Sequence, residues 1–118
     1  MIIYILKWGY IVEKLLSRIE EIKHEISKIG EMRPGSLSQQ YNICGNPSCR
    51  CKAKDNPKKH GPYHQLSYTW KRKSTSAFIK EQDLPAVQEQ LANYRHFMDL
   101  REEWIDCCLE LSKLRKLK

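Results

Sequence analysis

The sequence lacks a hydrophobic run long enough to cross a membrane. Its most apolar stretch, MIIYILKWGYIV, is too short for a bilayer-spanning helix, and Lys7 interrupts it. The stretch also lacks the basic start and the small-residue cleavage site of a secretory signal. We therefore expect a cytoplasmic protein without a membrane partner, in which thiols stay reduced and clustered cysteines favour a metal over disulfides.

Acidic residues are nearly missing from the middle of the chain. Residues 44–80 contain nine basic side chains and one acidic side chain, Asp55, which gives this segment a net charge of +8. The whole excess charge of the 118-residue chain, +7, therefore lies in this segment. Positive charge concentrated in this way indicates a surface that binds an acidic partner. A solvated basic loop is the alternative interpretation.

The groups that catalysis needs are missing as well. The sequence shows no Ser/His/Asp or Cys/His arrangement with an orienting carboxylate. Asp55 is the only acid near the clustered cysteines. We predict that the protein is not an enzyme.

The chain does contain two segments with helical periodicity, which define three predicted regions. Residues 1–33 form an N-terminal coiled-coil-like helix, residues 34–82 form a Cys/His metal knuckle with a β-hairpin, and residues 83–118 form a long C-terminal helix. In the first region the apolar positions alternate steps of three and four, which is the seam of a heptad pattern. These positions are Ile5, Trp8, Val12, Leu15, Ile19, Ile22, Ile26 and Ile29. Pro34 and Gly35 are expected to end the helix.

The second helix is predicted to begin at Asp83, a good N-cap residue, with Pro85 in its first turn. After Tyr94 its apolar pattern divides into two branches. One branch is Met98, Ile105 and Cys108, and the other is Phe97, Leu100, Trp104, Cys107, Leu111 and Leu114. An apolar face of this width favours a bundle of several helices. We therefore expect a homodimer through residues 1–32 and 84–117 that completes a four-helix bundle.

Between the helices, aromatic and β-branched residues predict two strands, Tyr63–Trp70 and Thr75–Ile79, joined by a turn at KRKS. The predicted fold class is mainly α with a small β element. It is a long antiparallel helical hairpin, coiled-coil-like, that is capped by a head of zinc knuckle and β-hairpin.

The head contains the spacing Cys44-x4-Cys49-x-Cys51-x8-His60-x3-His64. Structural zinc takes four Cys or His ligands in a tetrahedron and keeps no open position for a substrate. We predict a structural zinc ion on Cys44, Cys49, Cys51 and a histidine. His60 is favoured because it directly precedes GPY, where the chain can turn, and His64 is the alternative within the predicted strand. Unligated cysteines and a disulfide are the other interpretations.

Basic side chains surround these ligands, together with aromatic rings. Basic groups neutralise phosphates and aromatic rings stack on unpaired bases. We predict DNA or RNA as the partner, bound mainly through its backbone because no base-reading helix is visible. The predicted contacts are Arg50, Lys52, Lys54, Lys58, Lys59, Tyr63, Lys71, Arg72 and Lys73. The alternative is a coiled-coil adaptor between proteins, in which the zinc head is purely structural.

These motifs also resemble an uncharacterised family of short bacterial and archaeal proteins. The shared core is CG-x-P-x-C-x-C, then HGPY, a hairpin and a long YR-x-F helix. In this chain it corresponds to Cys44, Gly45, Pro47, Cys49, Cys51, His60–Tyr63, Tyr94, Arg95 and Phe97. The family position of His64 is usually aromatic, which agrees with His60 as the ligand. Members often accompany transposases, so the resemblance implies an accessory role in a mobile element, with a mobile-element enzyme as a further candidate partner.

Overall fold

Two long helices and a small antiparallel sheet make up the structure, a computed structural model that describes residues 2–115 and the side chains of residues 7–115. In chain order the elements are α1 (Ile2–Ser27), β1 (Ser36–Asn42), a 3-10 helix (Arg50–Lys52), β2 (His60–Trp70), β3 (Lys73–Ile79), a second 3-10 helix (Glu81–Asp83) and α2 (Leu84–Arg115). The predicted combination of long helices with a small β element is confirmed. None of the helices in the described range has the length and apolar character needed to cross a membrane.

The chain divides into two compact units. The helical unit contains the residues up to Met32 and those from Asn93 onward, and the sheet unit contains Arg33–Ala92. Helix α2 therefore contributes its first nine residues to the sheet unit and the rest to the helical unit.

The core of the helical unit comes from the faces that the apolar periodicity marks. Val12, Leu15, Ile26 and Ile29 of the first helical region are half-buried against this core. Its buried residues are Ile19, Ile22, Leu100, Cys107 and Leu111. Of the two apolar branches on α2, the one through Leu100 and Cys107 thus lies in the core, whereas Ile105 and Cys108 of the other branch are exposed.

Two hydrogen bonds join α2 to α1 and to the segment that follows α1, and earlier residues of the first region pair with later residues of α2. The indole Nε1 of Trp8 donates to the carbonyl of Leu114 at 2.9 Å. At the other end, Nδ2 of Asn93 donates to the carbonyl of Glu31 at 2.8 Å. Trp8 itself remains 44% exposed, so this seam position is only partly covered in the structure. The side chain of Ile5 and residues 116–118 of the predicted C-terminal helix lie outside the described residues.

A charged network joins the helices between these two contacts. Arg18 donates to both carboxylate oxygens of Glu103 and, at 3.0 Å, to Oε2 of Glu21. The hydrogen bond from Arg18 lowers the pKa of Glu103. Because these side chains remain partly exposed, the network contributes more to helix register than to stability.

Helix α1 ends six residues earlier than the prediction of a helix through residue 33. The amide of Lys28 bonds the carbonyl of Glu25 at 3.1 Å, and Ile29 bonds Ile26 in the same way, so the last turn tightens to three-residue steps. The hydroxyl of Ser27 also donates to the backbone carbonyl of residue 24. Such local bonds compete with the helical ladder, and the chain leaves the helix well before Pro34.

The sheet unit is an antiparallel sheet in the order β1-β2-β3. Leu37 pairs with Leu66, and Leu66 pairs with Ala77, so these positions share one face. Leu66 is buried there against Val87 and Leu91 of α2. Leu37, Tyr68 and Ile79 are half-buried around this cluster. The face of the sheet that carries Leu66 thus packs on the first turns of α2.

Two details of the sheet differ from the sequence prediction. Strand β1, SLSQQYN, was not predicted, because only Leu37 in it packs into the core and the rest of the strand is polar. The hairpin turn contains two residues, Lys71 and Arg72, rather than the four of KRKS. Both have positive φ, +51° and +67°, which is the pattern of a type I′ turn.

Candidate metal centre

Four predicted ligands come together where β1 ends and β2 begins. Asn42 of β1 pairs with His60 of β2, so Cys44, two residues past β1, lies at the same end of the sheet as His60. Cys49 precedes the first 3-10 helix and Cys51 lies within it. Pairing of the two strands therefore brings a ligand from each side of a long loop to one point.

The distances among these four side chains fit one metal ion. Sγ of Cys44 and Sγ of Cys51 are 3.5 Å apart, and Sγ of Cys49 lies 3.2 Å from Nε2 of His60. All four ligand atoms lie within 4.8 Å of one another. A tetrahedral ion with metal–sulfur bonds of about 2.3 Å would place its ligand atoms roughly 3.5–3.8 Å apart. The cluster is thus compatible with a four-coordinate metal site.

Backbone groups of the loop support the same geometry. The amide of Cys44 donates to Sγ of Cys51 at 3.4 Å, a bond that stabilises a thiolate. The amides of Cys49 and Lys52 bond the carbonyls of Asn46 and Cys49, which winds the loop tightly around the ligands. Cys51 is 2% exposed and is the only buried residue between 43 and 59.

The electrostatics of the cluster shift the protonation of its side chains in different directions. A hydrogen bond with the backbone of Asn46, followed by bonds with His60 and Cys49, lowers the pKa of Cys44 to about 6. Burial raises the pKa of Cys51, and hydrogen bonds with Cys44 and Cys49 raise the pKa of His60. Because metals bind thiolates and neutral imidazole, the lowered pKa of Cys44 favours an ion, whereas Cys51 and His60 must release protons to bind it.

His64, the alternative ligand, is not part of this cluster. It lies in β2 opposite Gln39 and Ile79, on the face of the sheet that carries Leu66. Because a strand rises about 3.3 Å per residue, His64 lies roughly 13 Å along β2 from His60 and does not reach the loop.

The part of the chain that contains this cluster also matches a family model. Residues 12–89 match the model described as Domain of unknown function (DUF6788). The chain belongs to the DUF6788 family. The matched residues cover more than half of the chain and include all four clustered ligands, the whole sheet and the start of α2. No curated protein and no solved structure matches this DUF6788 chain.

The predicted nucleic-acid contacts of the DUF6788 chain are all exposed, but they form two groups rather than one. The first group lies in the metal loop: Arg50, Lys52, Lys54, Lys58 and Lys59. The second group, Lys71–Lys73, lies at the β2–β3 turn. Strand β2 has 11 residues, so at about 3.3 Å per residue its ends are roughly 33 Å apart. The metal loop and the hairpin turn thus lie at opposite ends of β2.

Tyr63, the predicted aromatic contact, lies between these groups and has an aromatic neighbour that is not among the predicted contacts. Its ring meets the edge of Phe78 at a centroid distance of 6.2 Å and an interplanar angle of 69°. The two side chains are 42% and 62% exposed. The sequence feature that could have indicated an exposed Phe78 is its alternation with Ser74 and Ser76, which places all three on the solvent side of β3.

Proposed function

We propose that this DUF6788 protein is a zinc-stabilised nucleic-acid-binding accessory protein that contacts the phosphate backbone through basic side chains. The observation that carries the proposal is the charge of residues 44–80, nine basic side chains against one acid, with both basic groups exposed. Phosphates neutralised by lysine and arginine release counterions, which favours binding at low salt.

Zinc is the proposed metal because three thiolates and one imidazole are a donor set that is typical of structural zinc. Four protein ligands leave no open coordination position, so we propose a structural and non-enzymatic role for the ion. Zinc would hold the metal loop, and with it five basic side chains, at one end of β2. The mobile-element association, the cytoplasmic location and a homodimer through the helices belong to the same proposal and rest on the sequence arguments given above.

Binding should be measured by fluorescence anisotropy with labelled DNA and RNA between about 50 and 200 mM salt. The triple variant Lys71→Gln/Arg72→Gln/Lys73→Gln should bind more weakly and lower the salt slope by up to about three. The matched control removes three exposed charges outside the basic segment, at Lys7, Lys28 and Arg95. Equal losses in both triple variants, or no binding by the wild type at low salt, would contradict the proposal.

An adaptor between proteins is the second candidate function, and one feature of the helical unit favours it. An apolar groove of about 360 Å³ lies along α1 and α2, lined by residues that include Ile26, Phe97 and Trp104. Ile105 and Leu109 on its border are 46% and 56% exposed. A groove of this kind suits an apolar helix from a second copy or from another protein. Light scattering of the wild type and of Leu109→Lys distinguishes a dimer through this groove from a monomer.

A further inference from the structure

The side chains on the face of the sheet opposite Leu66 are mostly exposed, whereas the Leu66 face packs on α2. We call the face opposite Leu66 the open face. By the register of the three strands it carries Tyr63 and Phe78, and towards the hairpin turn it carries hydroxyl side chains. Four of these hydroxyl residues are Ser67, Thr69, Ser74 and Ser76, all exposed. They line most of a shallow depression of about 480 Å³.

Two aromatic rings in contact on such a polar face need an explanation. Single exposed apolar side chains are ordinary on protein surfaces. Tyr63 and Phe78, however, are diagonal neighbours on adjacent strands and leave 42% and 62% of their surfaces to solvent. The sheet unit has only three buried apolar side chains in its core cluster. Placing two rings outside so small a core forgoes burial that would stabilise the unit.

The charges around the open face indicate the chemistry of its ligand. The three strands contain no aspartate or glutamate. Basic groups stand at both ends of β2, in the metal loop and at the hairpin turn. A ligand that lies along β2 would therefore meet positive charge at both ends, and aromatic rings and hydroxyls between them. A nucleic-acid strand offers phosphates to the basic groups and exposed bases to the rings and hydroxyls between them.

We propose that the open face binds single-stranded nucleic acid, with Tyr63 and Phe78 stacking on unpaired bases. The inference rests on the proposed function and adds the substrate class to it. Bases within a duplex already stack on one another and offer no free face to the two rings, whereas unpaired bases do. Serine and threonine hydroxyls donate and accept hydrogen bonds, so they suit base edges without demanding one sequence.

The test compares a labelled oligothymidine of about 16 nucleotides with a DNA duplex of the same length. Phe78→Ala and Tyr63→Ala should each weaken oligothymidine binding roughly 5- to 150-fold, the loss that follows from removing one stacked base. The slope of log affinity against log salt should stay unchanged, because no phosphate contact is lost. Affinity for the duplex should also stay at the wild-type value.

Two further variants separate loss of stacking from loss of folding and from loss of an unrelated ring. Phe78→Leu retains an apolar side chain but no ring, so it should fold and still lose oligothymidine affinity. Tyr10→Ala removes a ring that is 65% exposed on α1, and it should bind both probes as the wild type does. Ultraviolet cross-linking of the wild type to oligothymidine provides a readout that needs no variant, and cross-linked peptides should contain Tyr63 or Phe78.

Several outcomes overturn the inference while leaving the proposed function intact. One is wild-type oligothymidine affinity in Tyr63→Ala and Phe78→Leu while the triple variant at Lys71–Lys73 is weakened. Another is tighter binding to the duplex than to oligothymidine. If Phe78→Leu instead changes a dimer to a monomer without affecting oligothymidine, the open face is a surface for self-association. Absence of binding to both DNA probes and to the labelled RNA rejects the inference and the proposed function together.

Discussion

Replacing Cys51 by serine tests the candidate metal centre most directly, because this side chain is both a candidate ligand and the only buried residue between 43 and 59. Ordering a backbone costs about 1–2 kcal/mol per residue in conformational entropy. No side chain in this loop other than that of Cys51 is buried to offset that cost. The metal is therefore expected to supply most of the free energy that orders the loop.

The expected loss of stability on removing the metal follows from comparing the two sources of stability in the sheet unit. Its core cluster buries three apolar side chains, Leu66, Val87 and Leu91, which contribute roughly 1.5–3 kcal/mol each. Structural zinc sites in small peptides contribute apparent free energies of about 10–16 kcal/mol at neutral pH. Loss of one thiolate should lower zinc affinity by more than the roughly 10–100-fold that follows loss of a group hydrogen-bonded to a ligand.

Elemental analysis and limited trypsin digestion measure the two consequences. Cys51→Ser should purify without stoichiometric zinc, and trypsin should cut it within residues 50–59, where five lysine and arginine sites lie in the loop. Wild type treated with a chelator should give the same fragments, and added zinc should protect it again. Cys108→Ser is the matched control, because Cys108 is an exposed thiol on α2 outside the cluster.

Two results would refute this reasoning. Stoichiometric zinc in Cys51→Ser would mean that the thiolate is not a ligand. A trypsin pattern that chelation leaves unchanged would mean that the loop is ordered by contacts other than the metal.

Three further predictions concern the helical core, the start of β2 and the hairpin turn. Ile22→Ala should lower the free energy of unfolding by about 2–5 kcal/mol in urea titrations, since Ile22 is 0% exposed, whereas Ile11→Ala at 43% exposure should cost far less. Gly61→Ala should lower the free energy of unfolding by about 1–3 kcal/mol, because φ at Gly61 is +135° and a β-carbon would lie 2.7 Å from a β1 carbonyl oxygen. Since Gly61 directly follows the candidate ligand His60, the variant should also retain less zinc. Lys71→Asn/Arg72→Gly should raise the melting temperature, because left-handed backbone costs a non-glycine residue roughly 1–2 kcal/mol. The same variant should weaken nucleic-acid binding, since it removes two positive charges. A lower melting temperature would contradict the turn assignment.

Local patterns in the sequence were sufficient for the helices and for most of the ligand set. Heptad spacing marks Ile19 and Ile22 as core positions, because residues three and four apart share one face of any helix. The clustered thiols were recognisable for a similar reason, since a short loop keeps Cys44, Cys49 and Cys51 close whatever the rest of the chain does.

Contacts between distant segments decided the features that local patterns could not predict: strand β1, the clustered histidine and the buried branch of α2. Strand β1 was missed because an edge strand with one core residue has no strong apolar alternation, and its hydrogen bonds to β2 exist only in the folded sheet. That same pairing places His60, rather than His64, beside the thiols. The choice between the two apolar branches of α2 likewise depends on contact with α1, which the periodicity of α2 alone does not contain.

The sequence by itself thus determined two amphipathic helices, a Cys/His loop with the spacing of a metal site, and a central excess of positive charge. Each of these depends on residues that are neighbours along the chain. Only the tertiary structure separated the basic residues into two groups at opposite ends of β2 and brought Phe78 beside Tyr63 on the open face. The physical reason is that strand length and register are set by hydrogen bonds between segments distant in sequence, and these decide which side chains share a surface.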